Sequence, residues 1–232
     1  QQAPICLVSG NIAPQVRELV AGRLLALPVR AAAKNTLAKM PDALPPFERV
    51  VRHIPLVQSQ QAAVRIGRRL DISRTSADYA PFLMVNTILG GYFGARLMQN
   101  LREERGYTYG IYSSVDEMLH GAYFCIDTEV GKEVASDAVA QIYAEIERLG
   151  SELVDAEELE MVRSYLMGSY LSAFDGLFNV SNTVSDCLQM GLPLERVREL
   201  ANSIQRTSSE DIRRVTQAYL RKEQLVEIVV GV

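Results

Sequence analysis

The side chains that could bind a catalytic metal ion are few and far apart in this sequence. Catalytic zinc takes about three protein ligands, and the usual motifs place two histidines one helical turn apart. The chain contains two histidines, His53 and His120, which fall in separate segments. His53 precedes Ile54-Pro55 at a predicted strand end, and His120 lies at a predicted hairpin tip. We interpret both as surface or loop residues, so the sequence predicts no metal ligand.

Nucleophilic and acid–base catalysis have little support either. The sequence has no Gly-x-Ser-x-Gly motif. Cys125 lies in an apolar strand pattern and Cys187 in a helical one, both typical of buried, unreactive thiols. Together with Cys6 they form neither a disulfide framework nor a zinc ribbon, because they are odd in number and widely separated. Glu103-Glu104 and Glu157-Glu158 fall on predicted helices, where adjacent side chains point about 100° apart and cannot share a site.

A glycine-rich segment is the remaining candidate for chemistry. It reads Gly90-Gly91-Tyr92-Phe93-Gly94-Ala95-Arg96 and resembles a phosphate-binding loop at first sight. It lacks the Gly-Lys-Ser/Thr ending of such a loop, and it follows a predicted helix where those loops follow a strand. We interpret it as a turn between two helices that needs the permissive backbone of glycine. Phosphate binding is the less favoured alternative.

Hydrophobic periodicity predicts the elements that position these residues. Apolar residues at helical spacing predict one helix ending at Gly90-Gly91 and a second ending at Gly106. Further patterns predict strands at 5–10, 50–53, 62–69, 108–115, 122–130 and 225–231, and helices from residue 14, over 133–149, from residue 155 and from Thr207-x-x-Glu210. Runs of strands separated by runs of helices indicate the α+β class, an antiparallel sheet with helices packed on one face.

Composition excludes two classes of partner. The chain has 232 residues, 48% of them hydrophobic and 22% charged, with a formal net charge of −4. This acidic balance disfavours binding to a phosphate backbone, so we expect no nucleic acid partner. No apolar run approaches the roughly 20 residues that a membrane helix needs, so we expect no membrane span.

The segment from Leu89 to Ser114 carries a family resemblance. It combines the glycine-rich turn, an amphipathic helix, the sequence Leu101-Arg102-Glu103-Glu104-Arg105-Gly106, and a strand with several tyrosines. This order closely resembles the signature of the second, zinc-free half of the pitrilysin–insulinase (inverzincin) metallopeptidases. Residues 1–27 resemble the strand–helix unit that closes the family's first half, residues 28–46 a linker, and residues 47–232 the zinc-free half. The resemblance implies the fold of one half of such a peptidase.

The resemblance also implies roles for particular residues. The family's catalytic half carries His-x-x-Glu-His, which is absent here, so zinc is expected in a missing or partner half. An arginine and a tyrosine of the other half reach the peptide beside that zinc, and they match Arg102 and Tyr109. The second-rank substrate-binding candidates are Gly90, Gly91 and Gly94.

Physical chemistry supports the pair but leaves an alternative. Water attack on a peptide carbonyl builds negative charge on its oxygen, which a guanidinium and a phenol hydroxyl can stabilise. The alternative is structural: Arg102 would pair with a nearby carboxylate, and Tyr109 would belong to a half-buried core.

These inferences lead to three hypotheses of function. The favoured one is the substrate-binding half of a zinc metalloendopeptidase, inactive by itself, whose partners are a peptide and a zinc-bearing half. The second is a catalytically inactive family member that serves as a structural or chaperoning subunit. The third is an unrelated small-molecule-binding α+β domain. The presence of His-x-x-Glu-His upstream of this segment would favour the first over the second.

The two ends of the sequence suggest an excised fragment. It begins without methionine and finishes on the apolar run Leu225–Val232, a pattern of a buried strand. Because residues 1–27 resemble part of an otherwise missing half, we expect an exposed apolar face or self-association.

The histidine and cysteine inventory predicts that the purified chain binds no stoichiometric zinc. Metal analysis after dialysis checks this, with about one zinc per chain as the contrary result. If such a zinc were lost on replacing His53 or His120 by Ala, our interpretation of the histidines would be wrong.

Overall fold

The computed structural model describes residues 5–26, 48–118 and 121–232. The chain divides into two compact units. The smaller comprises Gln1–Pro46 with Leu171–Leu192, and the larger comprises Phe47–Tyr170 with Pro193–Val232. The predicted linker at residues 28–46 lies outside the described residues, as does the predicted hairpin tip at His120.

The larger unit is built on one five-stranded sheet. Its strands follow the spatial order β1-β5-β2-β4-β3. Three of the pairings are antiparallel, whereas β1 and β5 run parallel. The strands are β1 Val51–Ile54, β2 Gln61–Leu70, β3 Ile111–Met118, β4 Gly121–Gly131 and β5 Val226–Val230. The α+β prediction is confirmed, with the β1–β5 pair as the one parallel exception among these strands.

Helices account for most of the remaining structure. The α-helices are α1 Pro14–Leu25, α2 Tyr79–Asn86, α3 Ala135–Ser151, α4 Ala156–Ser172, α5 Leu177–Gln189, α6 Glu195–Arg206 and α7 Ser209–Tyr219. Thr87–Gly91 and Met98–Glu104 are π-helical, and Lys132–Val134 and Lys222–Gln224 are short 3₁₀ turns. Among the described helices, none combines the length and apolar character needed to cross a membrane.

The sheet buries one face, as the alternation in β2 predicts. Val64 and Ile66 are fully buried, and Ile66 is opposite Ile126 of β4. Arg65, between them in sequence, is half-exposed and lies 3.7 Å from Asp127 on the other face. Because successive strand residues point to opposite faces, this pattern places the helix-covered core on one side only.

An aromatic cluster joins the helices to the buried face of the sheet. The ring of Phe82 in α2 meets Phe124 of β4 edge-to-face, with centroids 5.7 Å apart, and Tyr219 of α7 at 5.8 Å. Edge-to-face pairs add roughly 0.5–1.5 kcal/mol beyond the burial of apolar area. Phe82 therefore couples three elements that are distant in sequence.

The start of α7 differs from the prediction by one residue. Ser208 is the N-cap, and it forms a reciprocal capping box with Asp211. The predicted box used Thr207 and Glu210, but the Thr207 hydroxyl donates to the Ser203 carbonyl at 2.9 Å at the end of α6. Thr207 is therefore already committed to the preceding helix.

The first predicted strand is wrong, whereas the helix after it is confirmed as α1. Residues Ile5–Ser9 form no strand and are exposed. A strand needs a neighbour for its backbone hydrogen bonds, and no described strand pairs with this segment. The assignment of residues 1–27 to a preceding half stays a prediction.

Large apolar side chains are exposed throughout the smaller unit. No residue of α1 is buried. The exposed set includes Ile5, Leu7, Val8, Val16, Leu19, Leu24 and Leu25 near the N-terminus, and Leu171, Phe174, Leu177, Phe178, Val180 and Leu188 around α5. This abundance of exposed apolar surface agrees with the expected apolar face, and self-association stays a prediction.

Gly90 allows the end of the helical segment to touch the edge strand of the sheet. A Cβ atom at Gly90 would lie 2.7 Å from the backbone nitrogen and 2.8 Å from the Oγ of Ser113 in β3. The Ser113 hydroxyl in turn donates to the Asn86 carbonyl at 3.1 Å. No side chain fits at Gly90 without moving a strand.

We predict that Gly90→Ala lowers the free energy of unfolding by about 1–3 kcal/mol, the usual cost of overpacking a tight contact. Gly168→Ala is the matched control, because a Cβ there meets nothing within 4 Å inside α4. That control should gain about 0.5–1 kcal/mol from helix propensity. Urea denaturation measures both changes, and equal stability of the two variants would contradict the proposed contact.

Candidate functional site

Arg102 lies near the C-terminus of the π-helical segment Met98–Glu104. Gly106, two residues after the segment, has a φ of +65°, in the left-handed region that favours glycine. The Gly106 amide donates to the Arg102 carbonyl at 3.1 Å, and the Tyr107 amide donates to the Leu101 carbonyl at 2.8 Å. These bonds satisfy carbonyls at the helix end and hold the backbone of Arg102.

The guanidinium of Arg102 is held more by an aromatic ring than by an ion pair. Its Nε lies 3.6 Å from Glu103 Oε1, and both side chains are partly exposed. Such exposed pairs contribute little, about 0–1 kcal/mol. The Cζ atom lies 4.7 Å from the ring centre of Phe93, a cation–π distance. Phe93 is 59% exposed, so this stacked pair is open to a ligand from solvent.

Arg105 has a different role from Arg102. Its Nε donates to Asn100 Oδ1 at 2.8 Å, and its Nη2 donates to Gln141 Oε1 at 3.0 Å. Asn100 in turn donates to the buried carboxylate of Glu145 at 2.7 Å. Arg105 therefore ties the end of the π-helical segment to α3, whereas Arg102 has no comparable bond within the described residues.

A neighbouring bond adds to this attachment. The Tyr107 hydroxyl donates to Asp137 Oδ2 at 2.8 Å. Hydrogen bonds from Tyr107 and Gln141, together with the charge of Arg105, lower the pKa of Asp137. Asp137 therefore stays ionised and keeps its bond to Tyr107, the residue after the Gly106 turn.

Tyr109 projects into solvent from a braced loop. Its side chain is 93% exposed, so the alternative that it belongs to a half-buried core is wrong. The buried Thr128 hydroxyl of β4 lies 2.9 Å from both the Thr108 Oγ1 and the Gly110 carbonyl. The Gly110 amide donates to Thr108 Oγ1 at 3.0 Å. The backbone on either side of Tyr109 is thus fixed, and its own hydroxyl bonds to no described residue.

The glycines of the turn are needed because neighbouring atoms leave no room for a side chain, and not because of their backbone angles. None of Gly90, Gly91 and Gly94 has a positive φ, so the expected need for permissive backbone is wrong for them. A Cβ at Gly91 would lie 3.1 Å from Asn86 Nδ2, and one at Gly94 would lie 2.7 Å from Tyr92 Cε2. The glycines admit the protein's own atoms, and a role in substrate binding stays a prediction.

The pairing of Arg96 with Glu158 was missed by sequence reasoning. Arg96 Nε and Nη2 donate to the two oxygens of Glu158 in α4, at 2.9 and 2.6 Å. The side chains are only 16% and 19% exposed. The bond to Glu158 raises the pKa of Arg96 above its ordinary value. No sequence signal could have revealed the pair, since its members are 62 residues apart.

The structure offers no metal centre in the part of the chain that it describes. No three His, Cys, Asp or Glu side chains there are grouped to hold a metal ion. His53 lies in β1, and its Nε2 is 2.9 Å from Glu227 Oε1 of β5. The second histidine, His120, lies outside the described residues.

Comparison with solved structures shows where this fold recurs. A peptidase M16 inactive domain from Pseudomonas fluorescens superposes with a TM-score of 0.79 at 25% identity, over 96% of this chain and 52% of that one. A protease from Helicobacter pylori superposes with a TM-score of 0.82 over 97% of this chain and 54% of that one. Its 16% identity shows a shared fold alone.

Sequence comparison finds a curated relative and a family. A Helicobacter pylori protein described as the non-peptidase homolog YmxG is 28% identical over 176 residues, 75% of this chain and 40% of that protein. The chain thus spans about half or less of the length of these relatives. The family model for the peptidase M16 inactive domain matches residues 5–166. This match covers more than half of the sequence and confirms the resemblance to a zinc-free peptidase half, so the chain belongs to the peptidase M16 inactive-domain family.

Proposed function

We propose that this chain is the non-catalytic, substrate-binding half of a zinc metalloendopeptidase. In this proposal Arg102 and Tyr109 reach a peptide bound at the zinc site of another half, in the same chain or in a partner subunit. The observation that carries the proposal is the unpartnered hydroxyl of Tyr109, displayed by a braced loop. Because the ring is 93% exposed, it has no packing role in the described core and its hydroxyl is free to meet a ligand.

The chemistry assigned to the pair is stabilisation of a developing oxyanion. Attack of water on a peptide carbonyl places negative charge on its oxygen, and donors held in advance lower the barrier. The phenol hydroxyl of Tyr109 and the guanidinium of Arg102 are such donors. Zinc, which would polarise the same carbonyl, would be bound by the other half, because the described residues of this chain gather no ligand set.

Tyr109 and Arg102 are positioned in different ways, one by its backbone and the other by a neighbouring side chain. Tyr109 depends on the backbone between Thr108 and Gly110, which Thr128 braces. Arg102 depends on the ring of Phe93. A donor must be held close to its productive geometry to favour the transition state over the ground state. Phe93 is therefore the positioning residue for Arg102 in this proposal.

A second candidate function is a structural or chaperoning subunit without peptidase activity. The observation that favours it is the description of the Helicobacter pylori relative as a non-peptidase homolog. The two candidates differ in the other half, since only a peptidase requires His-x-x-Glu-His there. A parent protein or partner that contains this motif and cleaves a peptide supports the first candidate, and one that lacks both supports the second.

For Tyr109→Phe, in a zinc-bearing parent or complex that cleaves a peptide, we predict a fall in kcat of roughly 10²–10³, as for loss of one oxyanion donor. KM should change much less, since the bond forms chiefly in the transition state. Steady-state kinetics measure both. Tyr112→Phe is the matched control, because it removes a hydroxyl from a half-exposed tyrosine of β3 and should retain activity. Wild-type activity of a well-folded Tyr109→Phe enzyme would show that the assigned role is wrong.

Arginine variants need a control other than Arg105. Arg105→Ala does not serve as a control for an Arg102→Ala variant, because it would break the bonds to Asn100 and Gln141 and lower stability. Arg198, an exposed arginine of α6, is the better control.

For Phe93→Ala we predict that kcat/KM falls about two- to fivefold, the value of a partly exposed cation–π contact. Phe93→Tyr keeps an aromatic ring and should restore the wild-type rate. Phe178→Ala removes a ring that is 81% exposed and serves as the control. The NMR shift of the Arg102 Nε–H reports the stacking directly: it should move on Phe93→Ala and return on Phe93→Tyr. An unchanged shift in Phe93→Ala would contradict the positioning role even if activity fell.

A further inference from the structure

A cavity lies on the larger unit, where β1 and β5 meet the start of α3. Its volume is about 520 Å³, within the range of about 300–1,000 Å³ common for small-molecule sites. It is lined by residues of β1, β5, α3 and the two 3₁₀ turns. None of the residues assigned to peptide binding lines it, so it is separate from the site described above.

A buried hydrogen-bond network forms one wall of this cavity. Glu227 is 5% exposed, and its Oε1 lies 2.9 Å from His53 Nε2. The Tyr143 hydroxyl donates to Glu227 Oε2 at 3.0 Å. Burial first, and then Glu227, raises the pKa of Tyr143, while Arg49 acts in the opposite direction. Both carboxylate oxygens of Glu227 are thus hydrogen-bonded within the protein.

The rest of the charged lining is mainly basic. The whole sequence has only four lysines, and two of these, Lys34 and Lys39, lie outside the described residues. The other two, Lys132 and Lys222, both line this cavity. Lys222 Nζ lies 4.8 Å from the ring centre of Tyr143. Neither lysine forms an ion pair with any residue that the structure describes, so their charges remain available to a ligand.

The start of α3 and the position of Glu133 also suit a negatively charged ligand. Ala135 and Ser136, in the first turn of the 17-residue helix α3, line the cavity. No side chain caps this helix at Val134, although the Ala135 amide donates to the Lys132 carbonyl. The N-terminal end of the helix dipole, which favours negative charge, therefore lines the cavity. The remaining lining acid, Glu133, folds back toward Gly131, where a Cβ would lie 2.5 Å from its Oε1.

Apolar side chains complete the lining, including Val51, Val139 and Val229. A basic rim over an apolar wall suits a small molecule with both characters. We propose that this cavity binds a small organic anion, with its carboxylate or phosphate group at Lys132 and Lys222 and a short apolar body against the valines. This assignment does not rest on the peptidase proposal, and it requires no zinc-bearing half.

NMR titration of the ¹⁵N-labelled chain tests the site, with hexanoate, inorganic phosphate and hexylamine as probes. We expect the NMR chemical shifts of the Ser136 and Val139 amides to change and saturate as hexanoate is added. The Kd should be about 1 mM or lower, which is within the affinity that a ligand of this few atoms can reach. Phosphate should compete with hexanoate at higher concentration. Hexylamine, which has the same apolar body and the opposite charge, should not bind.

Paired variants separate a specific site from general charge attraction. Lys132→Gln with Lys222→Gln should weaken hexanoate binding by about tenfold or more, since charge-assisted bonds are lost. Arg198→Gln with Arg206→Gln removes the same charge from the exposed face of α6 and should leave binding unchanged. Three results would each overturn the proposal: no saturable binding of hexanoate, equal binding of hexylamine, or wild-type affinity in the lysine double variant.

Discussion

The contact between Gly90 and the backbone of Ser113 is the constraint on which the candidate site depends. It brings the π-helical segment Thr87–Gly91, which follows α2, against the edge strand β3 with no room for a Cβ atom at Gly90. The glycine-rich turn and the helix of Arg102 follow directly from this point in the chain. Because packed interiors transmit small displacements, a shift at Gly90 would move both the turn and the strand that leads from Tyr109.

The site combines a firmly attached scaffold with weakly attached donors. Arg96 is held by both oxygens of Glu158, and Arg105 by Asn100 and Gln141. Arg102 has only a ring and an exposed carboxylate nearby. Pairs and networks that are partly buried carry the stability of the segment, whereas the exposed groups are left to act on something outside the unit.

The acidic chain also carries a local concentration of positive charge. Its net charge is −4, yet the cavity at the start of α3 gathers both lysines of the described chain. Overall charge governs long-range attraction, but a small site responds to the groups within a few ångströms. The buried Glu227 forms one wall of this cavity, and its two carboxylate oxygens are hydrogen-bonded to His53 and Tyr143.

The sequence alone determined the fold class, most element positions and the family. Alternation in β2, helical stripes and the order from Gly90 to Tyr109 are local patterns, so they can be read without coordinates. The strand predicted from Ile5 was wrong because an apolar run becomes a strand only when a partner strand pairs with it. The capping box predicted at Thr207 was wrong because the Thr207 hydroxyl donates to the Ser203 carbonyl of α6, so Ser208 caps α7 instead.

Tertiary structure alone decided which polar side chains are engaged. Arg102 and Arg105 look equivalent in the sequence, three residues apart at the end of one predicted helix. In the structure, Arg102 stacks on an exposed ring and Arg105 bonds to α3. Arg96 bonds to Glu158, 62 residues away, and His53 lies within hydrogen-bond distance of Glu227, 174 residues away. Such contacts depend on how the elements pack, and no local pattern records that packing.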